Sequence, residues 1–289
     1  MPMPLSQDII NLYDAFTHGQ ITRRAFLERL TLLAGGAAAA SALLGVLAND
    51  YARAALVAED DPRLATASQA YSSLDGDVRA YLVWSKEGAK RPAVIVIHEN
   101  RGLNPHIKDV ARRIALEGFI AIAPDVLTKE GGTPEDEDKA RDLIGKLDAK
   151  AAIVRLVGAV DFARSIPEST GKTGAVGFCW GGGMVNQLAA HAEHLDAGVA
   201  YYGRQLSADR VPDIKAKLML HYAGKDERIN AGIADYETAL KAAGKSYELH
   251  MYEGAQHAFN NDTNAARYDK AAAELAWGRT VTFLKNNLG

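Results

Sequence analysis

The chain has 289 residues, of which 48% are hydrophobic and 24% are charged. This composition is that of an ordinary globular protein and excludes a largely disordered chain. The formal net charge is -3, so there is no surplus of basic residues to neutralise phosphates. Nucleic-acid binding is therefore not expected.

The first 54 residues differ in character from the rest of the chain. Residues 22–28 (TRRAFLE) resemble the twin-arginine export signature, and the alanine-rich, uncharged run of residues 30–48 suits the h-region of a signal better than a strong membrane span. Ala52-Arg53-Ala54 then offers a cleavage site. These features predict a signal over residues 1–54, export by the twin-arginine machinery to the periplasm, and a mature domain over residues 55–289 without a stable membrane span.

A second interpretation of this segment stays open. The stretch before the arginines is long for a signal, and its apolar residues have the spacing of an amphipathic helix. These residues are Ile9, Ile10, Leu12, Tyr13 and Phe16. A retained helix of this kind could anchor the chain or pack on a partner.

After the signal, the chain alternates between short apolar strands and helices. Residues 55–70 show no clear period and suggest a linker or an edge segment. Strands are predicted at residues 78–84, 92–99, 119–126, 172–178, 198–202, 217–222 and 247–252. Helices are predicted at residues 104–118, 151–166, 183–192, 233–243 and 265–288, and another is expected to start at Thr133-Pro134, with the acidic residues 135–138 as its solvated entrance. This order predicts an α/β fold with a mostly parallel, twisted sheet and helices on both faces.

The only cysteine of the chain, Cys179, lies in the sequence GFCWGG at residues 177–182. An apolar strand precedes it and a helix follows it, which is the arrangement of a nucleophile elbow, where small neighbours relieve crowding at a sharp turn. The positive end of the helix favours a thiolate. The alternative is a buried, inert cysteine beside a glycine-rich helix start.

Two residues are candidates to activate this thiol. Asp226 and His257 each follow a predicted strand, and the order Cys179, Asp226, His257 is the nucleophile, acid, histidine order of α/β-hydrolases. His191 and His194 have no third ligand nearby, so no metal is expected. The remaining histidines at positions 18, 106, 221 and 250 are interpreted as surface or strand positions, and His98 as the neighbour of a more interesting Glu99.

From about residue 75 to residue 288 the chain resembles the dienelactone hydrolases, or carboxymethylenebutenolidases, of the α/β-hydrolase fold. The motifs that carry the resemblance are VIVIHENRGL with Glu99, APDV at residues 123–126, GFCWGG with Cys179, AYYG at residues 200–203, GKD with Asp226 and GAQHAF with His257.

The resemblance implies a hydrolase that cleaves a lactone or carboxylic ester without a cofactor. It implies a triad of Cys179, His257 and Asp226, with Glu99 contacting the resting thiol and helping to activate it. It also implies an oxyanion hole made by the backbone NH groups of Asn100 and Trp180.

The chain departs from the family where a substrate carboxylate would bind. The family has a serine next to the catalytic histidine and an arginine four residues after it, and here these positions hold Ala258 and Asn261. Arg141 is a candidate for the second carboxylate-binding arginine, and Arg101 is another nearby cation. We therefore expect a different or broader ester, lactone or thioester substrate, with neutral esters competitive.

Two other functions are alternatives to hydrolysis. A non-catalytic binding protein could use the same fold, because a fold does not fix a function. A redox-sensing thiol would usually need a resolving cysteine, and this chain has none.

Overall fold

The computed structural model describes residues 5–51 and 55–289, and within them it contains an eight-stranded sheet. The strands are β1 (Leu64–Ser73), β2 (Gly76–Ser85), β3 (Arg91–Ile97), β4 (Ile120–Pro124), β5 (Ser169–Phe178), β6 (Ala197–Tyr201), β7 (Lys217–Ala223) and β8 (Tyr247–Tyr252). Their spatial order is β1-β2-β4-β3-β5-β6-β7-β8. Strand β2 is antiparallel to both of its neighbours, β1 and β4. All the other neighbouring strands pair in parallel. The predicted mostly parallel α/β sheet is confirmed.

Helices cover both faces of this sheet, as predicted. The helices of the described residues are α1 (Gln7–Thr17), α2 (Arg23–Ala34), α3 (Ala37–Leu47), α4 (Pro105–Leu116), α5 (Glu137–Lys146), α6 (Ala149–Ser165), α7 (Trp180–His191), α8 (Glu227–Asn230), α9 (Ile233–Ala242) and α10 (Lys270–Leu288). Two short 3-10 turns lie at Thr128–Glu130 and Ala208–Asp213. Helices α6, α7 and α9 pack on one face and α4 and α10 on the other.

Strand β3 shows why the sheet needs both layers. Its residues 93–97 are all fully buried, and they alternate between the two cores, with Ile95 in one and Val94 and Val96 in the other. A continuous apolar strand of this kind is stable only when both of its faces are covered.

Some boundaries differ from the predicted ones. Residues 55–70 include the start of edge strand β1, which the sequence pattern hides because half of its residues are exposed and only two are buried. Helix α5 begins after Asp136, whose side chain caps it, whereas the hydroxyl of Thr133 donates to Asp125 at 2.8 Å. Helix α10 begins at Lys270, five residues later than predicted, because Asp269 caps it there.

The N-terminal residues form three helices with a core of their own. The five apolar residues predicted for the amphipathic helix are all buried in α1, so that prediction is confirmed. The rings of Phe16 and Phe26 stack at 4.6 Å between centroids. The predicted h-region is divided between the end of α2 and the whole of α3, because Gly35 and Gly36 have φ values of 76° and 148° and turn the chain.

Export and cleavage of this segment stay predictions, since Ala52-Arg53-Ala54 lies outside the described residues. No single described helix is long and apolar enough to cross a membrane. Helices α2 and α3 reach the required length and composition only as a pair, and that pair is bent by 113°.

Two glycines allow the turn around Cys179 to form. A Cβ atom on Gly177 would lie 2.2 Å from the carbonyl oxygen of Gly181, and a Cβ atom on Gly181 would lie 2.4 Å from that of Ile97. Backbone atoms cannot move aside as the end of a flexible side chain can. The close approach of β3, β5 and α7 therefore requires glycine at both positions.

We expect Gly181→Ala to lower the free energy of unfolding by about 1–3 kcal/mol or more, because it overpacks backbone against backbone. Gly278→Ala is the matched control, since Gly278 is also helical and a Cβ there meets nothing within 4 Å. The control should be neutral or stabilising by up to about 1 kcal/mol. Urea denaturation measures both, and equal effects of the two substitutions would contradict the close-approach argument.

Candidate active site

Cys179 lies at the sharp turn between β5 and α7. Its backbone has φ 54° and ψ -114°, in the left-handed half of φ space that non-glycine residues rarely adopt. Its NH group donates to the carbonyl of Tyr201 at 3.0 Å, which holds the turn against β6. The strand, turn and helix predicted for a nucleophile elbow are present, and α7 begins immediately after the cysteine.

Asp226 and His257 lie together beyond the ends of β7 and β8. The Nδ1 atom of His257 is 2.5 Å from Oδ2 of Asp226, and both residues are buried. Burial lowers the pKa of His257, but the charges of Asp226 and Cys179 outweigh it and raise that pKa well above its ordinary value. Burial raises the pKa of Asp226, and the charge of His257 reverses that effect and lowers it.

A second histidine that the sequence analysis did not select lies at the thiol. The Nε2 atom of His18 is 3.3 Å from Sγ of Cys179, and its ring meets that of His257 edge-on at 4.7 Å between centroids. The interpretation of His18 as a surface or strand position is wrong, because it follows the last residue of α1 and its side chain is only 14% exposed.

The two imidazoles determine the ionisation of the thiol. Burial by itself raises the pKa of Cys179, but the positive charges of His18 and His257 outweigh it and lower the pKa to about 6. Burial lowers the pKa of His18, but the charge of Cys179 and the hydrogen bond with Asp14 outweigh it and raise the pKa. The pair is therefore suited to exist as thiolate and imidazolium near neutral pH.

Glu99 is close by but has a different partner from the expected one. The side-chain amide of Asn261 donates to Oε2 of Glu99 at 2.8 Å, and Oε1 has no hydrogen-bond partner among the described residues. The expected contact between Glu99 and the resting thiol is thus replaced by the contact with His18. Asn261 holds only one oxygen of the Glu99 carboxylate.

The segments that carry Asn100 and Trp180 adjoin each other. Trp180 is the first residue of α7, and its ring stacks on His98 at 5.4 Å between centroids. Asn100 follows directly after Glu99, and its side-chain amide donates to the carbonyl of Thr17 at 2.7 Å. Asn100 is thus joined to the residue that precedes His18, and Trp180 directly follows Cys179.

Arg101 and Arg141 both face helix α1. The Nε atom of Arg101 is 3.0 Å from Glu137, and its guanidinium donates to the hydroxyl of Tyr13 at 3.0 Å. The guanidinium of Arg141 lies over the ring of Phe16 at 4.2 Å from the centroid. Neither candidate cation is therefore open to a substrate carboxylate while α1 is in this position.

A cleft of about 780 Å³ lies between α1 and the loops that carry Asp226 and His257. Its lining is mostly polar or charged and includes Asp14, Arg228 and Arg267. The cleft reaches His257 and provides space for a small ligand on that side of the site.

The donor atoms of His18, Cys179 and His257 lie within 4.8 Å of one another. Thiolate and imidazole are ligand types that zinc uses, but the hydrogen bond between His18 and Cys179 already occupies two of these donor atoms. His191 and His194, which were considered as metal ligands from the sequence, do not belong to this group.

Sequence reasoning missed His18 because no local pattern connects it to a cysteine 161 residues away. The prediction of an export signal over residues 1–54 also placed the residues before the arginines outside the mature domain. The interpretation of His106 as a surface or strand position is also wrong, because this residue is buried in helix α4. Its Nδ1 atom lies 3.1 Å from Asp262.

Comparisons with known proteins fit this geometry. A family model described as "Dienelactone hydrolase family" matches residues 78–288, and a second one described as "YqhI-like" matches residues 3–35. The carboxymethylenebutenolidase of Pseudomonas putida is 32% identical over 221 residues, which cover 73% of this chain and 93% of the relative. A Saccharolobus solfataricus protein provisionally given the same name is 34% identical, over 74% of this chain and 96% of the relative.

A solved structure shows the same likeness. The crystal structure of a provisionally named dienelactone hydrolase from Klebsiella pneumoniae has a TM-score of 0.71 and 28% identity. The match covers 77% of this chain and 98% of that one.

Proposed function

Because the chain belongs to the dienelactone hydrolase family, whose members are lactone and ester hydrolases, we propose that Cys179 is the nucleophile of a Cys-His-Asp triad. The observation that carries this proposal is a buried cysteine with a strained backbone and a lowered pKa, facing the imidazole of an Asp226-His257 pair. Each feature serves thiolate attack on a carbonyl carbon.

The reaction follows from the positions of these groups. The thiolate of Cys179 adds to the carbonyl carbon, and the oxygen of the tetrahedral intermediate accepts hydrogen bonds from the NH groups of Asn100 and Trp180. Protonated His257 gives its Nε2 proton to the leaving alcohol oxygen as the carbon–oxygen bond breaks, which leaves a thioester. His257 then takes a proton from water, which attacks the thioester and regenerates the thiolate and the acid product.

Asp226 orients His257 during both steps. Its carboxylate accepts a hydrogen bond from the Nδ1–H group, so the other ring nitrogen is the one that faces the thiol and the substrate. The buried carboxylate also stabilises the imidazolium that gives its proton to the leaving alcohol and that forms again when water attacks the thioester.

The side chains around the site favour an ester or lactone without a free carboxylate. Asn261 and Ala258 stand where the resemblance predicts an arginine and a serine, and Arg101 and Arg141 are already paired with Glu137 and Asp138. A charge-assisted contact with a carboxylate is worth about 1.5–3 kcal/mol. Its loss removes roughly a tenfold to hundredfold preference for acidic substrates.

We expect Cys179→Ala and His257→Ala each to lower kcat/KM for an aryl ester by several orders of magnitude, because each removes a group that takes part in bond making. His194→Ala is the matched control, since His194 is an exposed histidine outside the site. Circular dichroism should show all three variants folded. Either active-site variant retaining a tenth or more of wild-type activity would overturn the triad.

We also expect a neutral lactone to be hydrolysed with a kcat/KM at least comparable to that of a lactone of the same size that carries a carboxylate. Steady-state kinetics with the two substrates measures this ratio. A hundredfold or greater preference for the acidic lactone would contradict the expectation and would show that a cation of the site is free to bind it.

A further inference from the structure

The N-terminal segment of residues 5–51, which we name the cap, lies over the active site. Gln7 and Gln256 exchange side-chain hydrogen bonds at 2.9 and 2.6 Å. The carbonyl of Thr17 accepts from Asn100, and the next residue, His18, contacts the thiol. The cap therefore reaches both the oxyanion region and the nucleophile.

The cap holds itself together differently from the way it binds the hydrolase body. Its apolar residues pack mainly on one another, around Phe26, Leu30 and Leu47. Its contacts with the body include many hydrogen bonds and ion pairs, such as Asn264 to the carbonyl of Leu47 at 2.7 Å. A polar, specific interface of this kind places a side chain accurately.

We propose that His18 is a catalytic residue, whose Nε2 atom takes the proton of Cys179 in the resting enzyme. The cap then completes the active site as well as covering it. This inference rests on the proposed function, because it assumes that Cys179 is the nucleophile. It adopts the retained-helix interpretation of the N-terminal segment in place of the cleaved signal.

Hydrogen bonding fixes which nitrogen of His18 faces the sulfur as an acceptor. The Nδ1 atom is 2.8 Å from the carbonyl oxygen of Asp14, and only a protonated Nδ1 can donate to that oxygen. In the neutral ring Nε2 is therefore unprotonated, and it lies 3.3 Å from Sγ. Transfer of the thiol proton to Nε2 gives a thiolate and an imidazolium with both of its NH groups hydrogen-bonded, and no other reactant is needed.

The surroundings of His18 favour its charged form. The carboxylate of Asp14 lies 3.3 Å from Nδ1 of His18. Arg228 and Arg267 each lie 3.7 Å from that carboxylate. The other titratable groups facing His18 are Cys179, from the turn before α7, and His257, from the loop after β8. Asp14 and His18 thus repeat, on the cap, the acid and histidine pairing of Asp226 and His257.

The two histidines have different partners and so can have different tasks. The Nε2 atom of buried His257 has no hydrogen-bond partner among the described residues, so it is free to serve the leaving group and the attacking water. His18 instead holds the proton of the resting thiol. Among the described residues, the hydrogen bond of Glu99 is with Asn261 and not with the thiol.

His18 lies outside the part of the chain that matches the hydrolase family model, which begins at residue 78. About three quarters of this chain accounts for nearly the whole length of the Saccharolobus solfataricus and Pseudomonas putida relatives. The second family model, over residues 3–35, contains both Asp14 and His18. The second histidine is therefore an addition to the matched hydrolase region.

The test is the pH dependence of alkylation by iodoacetamide, which reports on Cys179 alone because the chain has one cysteine. The thiolate reacts and the thiol does not, so the rate rises with pH through the thiol pKa. In the full-length wild-type chain we expect the midpoint near the value of about 6 given by the two imidazoles. In His18→Ala and His18→Gln the midpoint should move up toward the ordinary thiol value of about 8.5.

Two features of the titration separate ionisation from access. Opening of the cap changes the rate on the high-pH plateau, whereas loss of the base changes the midpoint. His18→Gln keeps a side chain of similar reach that cannot take a proton, so its midpoint should rise as in His18→Ala. A higher plateau with an unmoved midpoint in both variants would show that His18 only covers the thiol and would overturn the proposal.

Controls keep the result specific. His194→Ala should titrate like wild type, and a chelator in every buffer removes any metal ion that could shield the thiol between His18 and His257. The kcat/KM of His18→Gln for a neutral ester should fall by roughly a hundredfold or more at pH 6.5, as expected on loss of a catalytic base.

The same variants distinguish a failure of the proposed function from a failure of the proposed role of His18. If Cys179→Ala keeps its esterase activity, the proposed function fails whatever the titrations show. If Cys179→Ala is inactive and the thiol midpoint does not depend on His18, only the role of His18 fails.

Discussion

A buried thiolate needs compensating positive charge, and the active site is arranged to supply it. Cys179 is 9% exposed. Moving a charged group out of water costs several kcal/mol of desolvation free energy unless a group of opposite charge lies close enough to offset it. Two imidazoles face the sulfur, and each is backed by a carboxylate, Asp14 for His18 and Asp226 for His257. The two charged pairs come from opposite ends of the chain, so the full electrostatic environment exists only when the cap is in place.

The sheet determines where these groups can meet. Parallel strands β5, β7 and β8 end at one edge, and that edge receives Cys179, Asp226 and His257. The strained backbone of the cysteine is tolerated because Gly177 and Gly181 allow β3, β5 and α7 to approach within distances that no Cβ would permit. The glycine packing at the turn therefore places the sulfur at the same sheet edge as the charged groups that surround it.

The sheet and the positions of Cys179, Asp226 and His257 at its edge could be predicted because they depend on local signals. Apolar strands followed by helices gave the parallel order, and Asp226 and His257 could be placed because each directly follows a strand. The partner of Glu99 could not be predicted in this way. The sequence shows that Asn261 stands where a cation is expected, but it does not show which group the amide of Asn261 will bind. Edge strand β1 was hidden by its exposed side chains, and His18 by its distance along the chain.

The most direct test of the central claim is to trap the covalent intermediate. The full-length enzyme is mixed with an aryl acetate, quenched in acid within milliseconds and digested for mass spectrometry. The account predicts one acetyl group on the peptide that contains Cys179, released by hydroxylamine as a thioester is, and no such adduct in Cys179→Ala. Rapid product formation with no acyl group on that peptide, or with the acyl group on another side chain, would contradict it.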